Sequence, residues 1–128
     1  VPAQNAADRA LVSKIQKTAV AALEDIKARD ITVLNVRKLT SLCDTLIIAT
    51  ADSSRQVKAL SRHVCEALKA AGASIIGVEG EQTGEWVLVD AGDIVVHIMQ
   101  PATRTYYNLE ELWTPPPPRR RSKAAALA

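Results

Sequence analysis

The sequence predicts an α/β domain in which a mixed sheet of about five strands is flanked by helices. Three observations carry that expectation: a helical period near the N-terminus, a strand-like run apolar at nearly every position, and two β-rich runs joined by a short Asp/Gly turn. Signals follow in the order helix, two strands, helix, three strands, helix. The 128 residues suffice for one core. We assign the folded domain to residues 8–113, an N-terminal extension to 1–7 and a disordered Pro/Arg-rich tail to 114–128.

Leu11, Ile15, Ala19, Ala22 and Ile26 recur at steps of three and four, which places them on one face of a helix over about 9–28, with Asp8 as its N-cap. The β-branched runs Ile31–Val36 and Thr45–Ala49 follow. The second is apolar almost throughout, the pattern of a strand covered on both faces and central in its sheet. Ser53-Ser54-Arg55-Gln56 has capping-box spacing. Val57, Leu60, Val64, Leu68 and Ala71 continue that helix, and Gly72 stands where a left-handed C-terminal residue is favoured. A short strand over Ile75–Val78 and a loop over Glu79–Gly84 come next. Trp86–Val89 and Ile94–Met99 then form a hairpin through Asp90-Ala91-Gly92-Asp93. Pro101 opens a last helix that holds Arg104, Tyr107, Leu109 and Leu112, and Pro115–Pro118 end it.

With two Trp, two Tyr and no Phe, the core must be aliphatic, so each aromatic invites a reason for its place. The formal charge of +2 is uneven. Arg119, Arg120, Arg121 and Lys123 lie in the tail, and the 118 residues before them hold twelve cations and fourteen carboxylates, a net −2. A body so balanced lacks the basic excess of a fold that tracks a phosphate backbone, so RNA contact is expected mainly from the tail. Cys43 and Cys65 lack a second pair or CxxC spacing and read as reduced, partly buried thiols. No apolar run reaches the roughly 20 residues that span a bilayer, and no charged leader precedes one, so the expectation is a cytoplasmic protein with no membrane partner.

The sequence offers little for catalysis. Two-metal phosphoryl or nucleotidyl transfer needs convergent carboxylates, often as D-x-D on one strand face, and Asp44-Thr45-Leu46 lacks the second acid. Asp90 and Asp93 flank a turn, where Asp serves its own backbone. His97 has no recognisable nucleophile or carboxylate companion and reads as packed or partner-facing; His63 reads as surface. Gly77, Gly80 and Gly84 form no phosphate-cradling motif. Trp113 is expected to dock the last helix on the core. Trp86 opens a strand after a glycine-containing loop and is expected to stand exposed as an interface anchor, with a core role as the alternative.

Gly77-Val-Glu-Gly80, Trp86–Asp90, Gly92–His97 and Arg104–Trp113 together resemble the signature of the ribosome-silencing factor family, RsfS or Iojap. The resemblance extends upstream through Ile31–Val36, Asp44 and Ser53-Ser54-Arg55. It implies a nucleotidyltransferase-like fold without transferase chemistry, cofactor or metal, usually dimeric. It also implies binding to the large ribosomal subunit through its ribosomal protein fourteen, which obstructs the small subunit and represses translation. Within the matched motifs the expected partner-binding residues are Trp86, Asp90, Ala91, Gly92, His97, Arg104 and Tyr107. The alternatives are a nucleotidyltransferase using Asp44, Asp90 and Asp93, and an RNA-binding adaptor acting through the basic tail on ribosomal RNA.

Overall fold

A computed structural model of the chain describes residues 6–113, with side chains from residue 9 onward; the expected disordered tail and its arginines lie outside the described residues. The first helix, α1, spans Ala6–Asp25. It starts inside the expected extension, because Ala6 and Ala7 are strong helix formers, and so Asp8 lies within the first turn instead of capping it. It also stops three residues short of the expected end. Lys27 turns left-handed (φ 63°), and the amides of Lys27 and Ala28 donate to the carbonyls of Glu24 and Leu23. That is a Schellman stop without its usual glycine.

Strand β1 (Arg29–Asn35) therefore begins two residues early. It pairs antiparallel with β2 (Thr45–Thr50), with an irregularity between Arg29 and Thr32 where Asp30 has φ 48°. Helix α2 (Ser54–Ala70) matches its expected caps. The Ser53 hydroxyl accepts the Gln56 amide at 3.1 Å, and Gly72 takes φ 98°. The Gln56 carboxamide reaches back to the Asp52 amide, one residue before the cap, and also donates to the carbonyls of Ile26 and Lys27, tying α2 to the end of α1.

Strand β3 (Gly77–Glu79) lies later than expected, leaving Ile76 outside it and 70% exposed. The hairpin of β4 (Trp86–Asp90) and β5 (Ile94–Met99) forms as expected, with Gly92 at φ 84°. The last helix is broken: α3 (Pro101–Tyr107) ends at Asn108, left-handed at φ 46°, and α4 (Leu109–Leu112) follows it. Asn adopts this conformation more readily than most non-glycine residues.

The sheet runs β1-β2-β5-β4-β3, with β2 and β5 parallel and every other neighbour antiparallel. This is the five-stranded mixed sheet anticipated, except that β5 is the middle strand and β2, buried throughout, lies beside it. Ile15, Ala19, Ala22 and Leu23 of α1 and Val57, Leu60, Val64 and Leu68 of α2 pack on one sheet face against Ile47, Val87, Val96 and Ile98. Leu11, expected on the same stripe, is 49% exposed and lines a shallow cavity beside Ala91 at the hairpin turn. The opposite face buries Leu46, Ile48 and Met99 with Val36 and Cys43, and Leu109 and Trp113 close over them. Trp113 thus docks the C-terminal segment as anticipated.

Candidate functional site

Register determines which side chains share the second face. Trp86 pairs with Met99, Leu88 with His97, and Asp90 with Val95. Residues opposite one another point the same way, so Trp86, Leu88 and Asp90 line one face with Val95, His97 and Met99. Glu79 joins this face by pairing with Leu88. Leu88, Asp90 and Val95 are half-buried, and the face stays partly open there.

At one end of β4 three expected residues meet. The Trp86 indole N–H donates to His97 Nδ1 at 2.9 Å. The Tyr107 ring lies 4.8 Å from the Trp86 ring, centroid to centroid, and Tyr106 packs edge-on against Tyr107 at 5.0 Å. An indole nitrogen can only donate, so Nδ1 of His97 carries a lone pair and the neutral ring holds its proton on Nε2. Burial enforces that state: His97 is 6% exposed, and desolvation lowers its pKa to about 4. Trp86 is half-buried, packed against the cluster of Leu46, Ile48 and Met99, with its polar edge engaged. Gly80 lets the preceding loop cross it. At φ 87°, a Cβ on Gly80 would stand 2.0 Å from the Trp86 carbonyl oxygen.

Asp90, Ala91 and Gly92 lie at the other end of the five-residue strand, roughly 13 Å along it. The Asp90 carboxylate accepts the Gly92 amide at 2.9 Å and so stabilises its own turn. Arg104 stands near the aromatic end, but its donors face inward. Nε and Nη2 grip both oxygens of Glu110 at 3.0 and 3.1 Å. The remaining bonds reach Thr50 and Thr32 hydroxyls at 2.8 and 2.9 Å and the Asp30 carbonyl. This contact holds the Glu110 carboxyl below its usual range. Arg104 thus pins α3 and α4 to β1 and β2. Sequence reasoning missed Tyr106, 80% exposed, and Glu110; Leu88 and Val95 were legible only from period-two alternation with Trp86 and His97.

Two carboxylates of the rival catalytic reading are engaged, Asp90 by the Gly92 amide and Asp44 by Arg37, and Asp93 contributes its main-chain carbonyl. Arg37 approaches Asp44 at 3.6 Å, and the amides of Asp44 and Thr45 both donate to the Asp93 carbonyl. They stand where the parallel strands β2 and β5 begin, whereas ligands of open α/β sheets gather at the carboxyl ends. Among the described residues no group of three or more His, Cys, Asp or Glu side chains is placed to hold a metal ion. Both cysteines are free thiols; burial raises the pKa of each. His63, expected at the surface, is partly exposed and reaches Asp25 at 3.0 Å. No described helix is long and apolar enough to cross a membrane.

The family described as "Ribosomal silencing factor during starvation" matches residues 10–126. The ribosomal silencing factor RsfS of Chromobacterium violaceum is 58% identical over 102 residues, 80% of this chain and 84% of that protein. The mouse protein named mitochondrial assembly of ribosomal large subunit protein 1 is 34% identical over 98 residues, covering 74% of this chain and 43% of its own length. A crystal structure of a Chromobacterium violaceum protein superposes with a TM-score of 0.78 at 56% identity, covering 82% of this chain and 89% of that one. The motifs on the sheet's second face and a match over nearly the whole chain agree, and the chain belongs to the RsfS family of ribosomal silencing factors.

Proposed function

We propose that this protein docks on the large ribosomal subunit through ribosomal protein fourteen and represses translation by keeping the small subunit away. The observation that carries the reading is the half-exposed aromatic cluster of Trp86, Tyr107 and Tyr106 on a partly open sheet face. Exposed aromatics with one edge fixed are the side chains that dominate interface energies. Family membership and the name of the mouse relative support the large subunit as the partner, and ribosomal protein fourteen is our assignment within it.

A stable contact buries on the order of 800 Å² per partner. We assign its centre to Trp86 and Tyr107, with the buried His97 holding the indole edge from beneath, and its far end to the turn of Asp90, Ala91 and Gly92. Arg104 contributes by holding the α3–α4 corner from which Tyr107 projects. The protein is a regulator and not an enzyme: occupying the docking surface excludes the small subunit with no chemistry at the peptidyl-transferase centre. It works in the cytoplasm, and it forms a homodimer.

Light scattering during association of purified large and small subunits at fixed magnesium tests this. Preincubating the large subunit with the protein is expected to suppress the rise. An unchanged rise at saturating folded protein would overturn the proposal.

A further inference from the structure

The near-neutral net charge of the body conceals a separation that only the fold makes visible. Residues 70–113, which build β3, β4, β5, α3 and α4, carry seven carboxylates and one cation, Arg104, already held by Glu110. Helices α1 and α2 carry seven Arg and Lys against four acids. On the sheet side the arginines end in carboxylates: Arg29 on Asp52, Arg37 on Asp44, Arg104 on Glu110. On α2 the pattern reverses. Arg55, Lys58, Arg62 and Lys69 are all exposed, and none makes an ion pair or side-chain hydrogen bond among the described residues.

At 100° per residue these four fall within about 60° of one another around the helix and extend roughly 21 Å along it. The buried Val57, Leu60, Val64 and Leu68 occupy the other side. Stability does not explain the stripe. Arg55 and Lys58 stand near the helix N-terminus, where the macrodipole favours carboxylates, and the first turn holds none. Glu66, the helix's only acid, is exposed on the same arc between Arg62 and Lys69, and leaves the stripe with a net charge of +3.

We propose that the outer stripe of α2 is an RNA-contacting surface, with Arg55, Lys58, Arg62 and Lys69 seated on phosphate oxygens. That the phosphates belong to ribosomal RNA rests on the large-subunit reading above. RNA is favoured over an anionic membrane because the apolar residues Val57, Leu60, Val64 and Leu68 are committed to the core, leaving α2 no large exposed apolar side chain of its own to enter a lipid interface. The molecule then has two working sides: an acidic, aromatic sheet face for protein and a basic helical face for RNA.

The test uses the full chain and its Arg55→Gln, Lys58→Gln, Arg62→Gln triple variant, with circular dichroism confirming the fold. Binding to purified large subunits is measured across a potassium chloride series, and binding to deproteinised large-subunit RNA by filter retention. The triple variant is expected to lose roughly tenfold or more in affinity at low salt and to flatten the log–log salt slope by about 2, as expected when about three phosphate contacts are removed. Trp86→Ala should lower subunit affinity with the slope unchanged. An unchanged slope in the triple variant overturns the proposal, as does a slope lost only when Arg119, Arg120, Arg121 and Lys123 are neutralised. Stripe-dependent binding to phosphatidylserine vesicles but not to RNA also overturns it. If the parent ignores the subunit yet binds RNA through the stripe, the docking reading fails and the RNA surface stands.

Discussion

Trp86 gives its only polar proton to a histidine that burial keeps neutral, so the orientation of the proposed anchor depends on the charge state of its neighbour. Replacing Trp86 with Ala should weaken large-subunit binding by about 2 kcal/mol or more, as truncation of an interface anchor does. A folded variant that binds as tightly as the parent would place Trp86 outside the interface. His97 makes a second prediction. Its imidazole titrates near 6.5 in the unfolded chain and near 4 in the fold. Its contribution to stability is thus complete above pH 6.5 and is lost as the pH falls towards 4, since the unfolded chain takes up the proton first. The loss amounts to about 3 kcal/mol. His97→Gln retains an acceptor but cannot titrate, so urea midpoints measured from pH 7 to 4 should fall less steeply than the parent's. Parallel curves would trace the acid lability to other groups. That Trp86 and His97 share a face follows from alternation along each strand. Their hydrogen bond does not, because they are diagonal neighbours whose contact needs the hairpin register.

Among the elements, α2 was legible at both ends because its signals are local: a hydroxyl three residues from an amide, and a glycine past the last turn. The end of α1 was not, since Lys27 does there what glycine usually does. Nor was the break at Asn108, which turns one expected helix into α3 and α4. Arg104 spans that break, making five hydrogen bonds to Glu110, Thr50, Thr32 and Asp30. A lysine keeps the charge but cannot reproduce a planar fork. Arg104→Lys should therefore cost about 1–3 kcal/mol in urea denaturation. It should also shift Trp86 fluorescence as Tyr107 loosens. A variant with parental stability and spectrum would show that the corner is held by Leu109 and Trp113 alone.

For the whole molecule, class and element order were readable from sequence, but strand order was not. The parallel pairing of β2 with β5 joins segments separated by α2, β3 and β4, and no local pattern encodes it. Charge followed the same rule. Summed along the chain it argued against a phosphate-binding body; distributed over the fold it divides into a basic α2 and an acidic part built from residues 70–113. This division has a consequence for timing. A particle with its charges parted in this way carries a permanent dipole, and a strong external field turns such a particle before it touches anything. Near a surface as highly charged as a ribosome, the protein would arrive already facing the right way. Added salt would then slow its capture well before it shortened its stay.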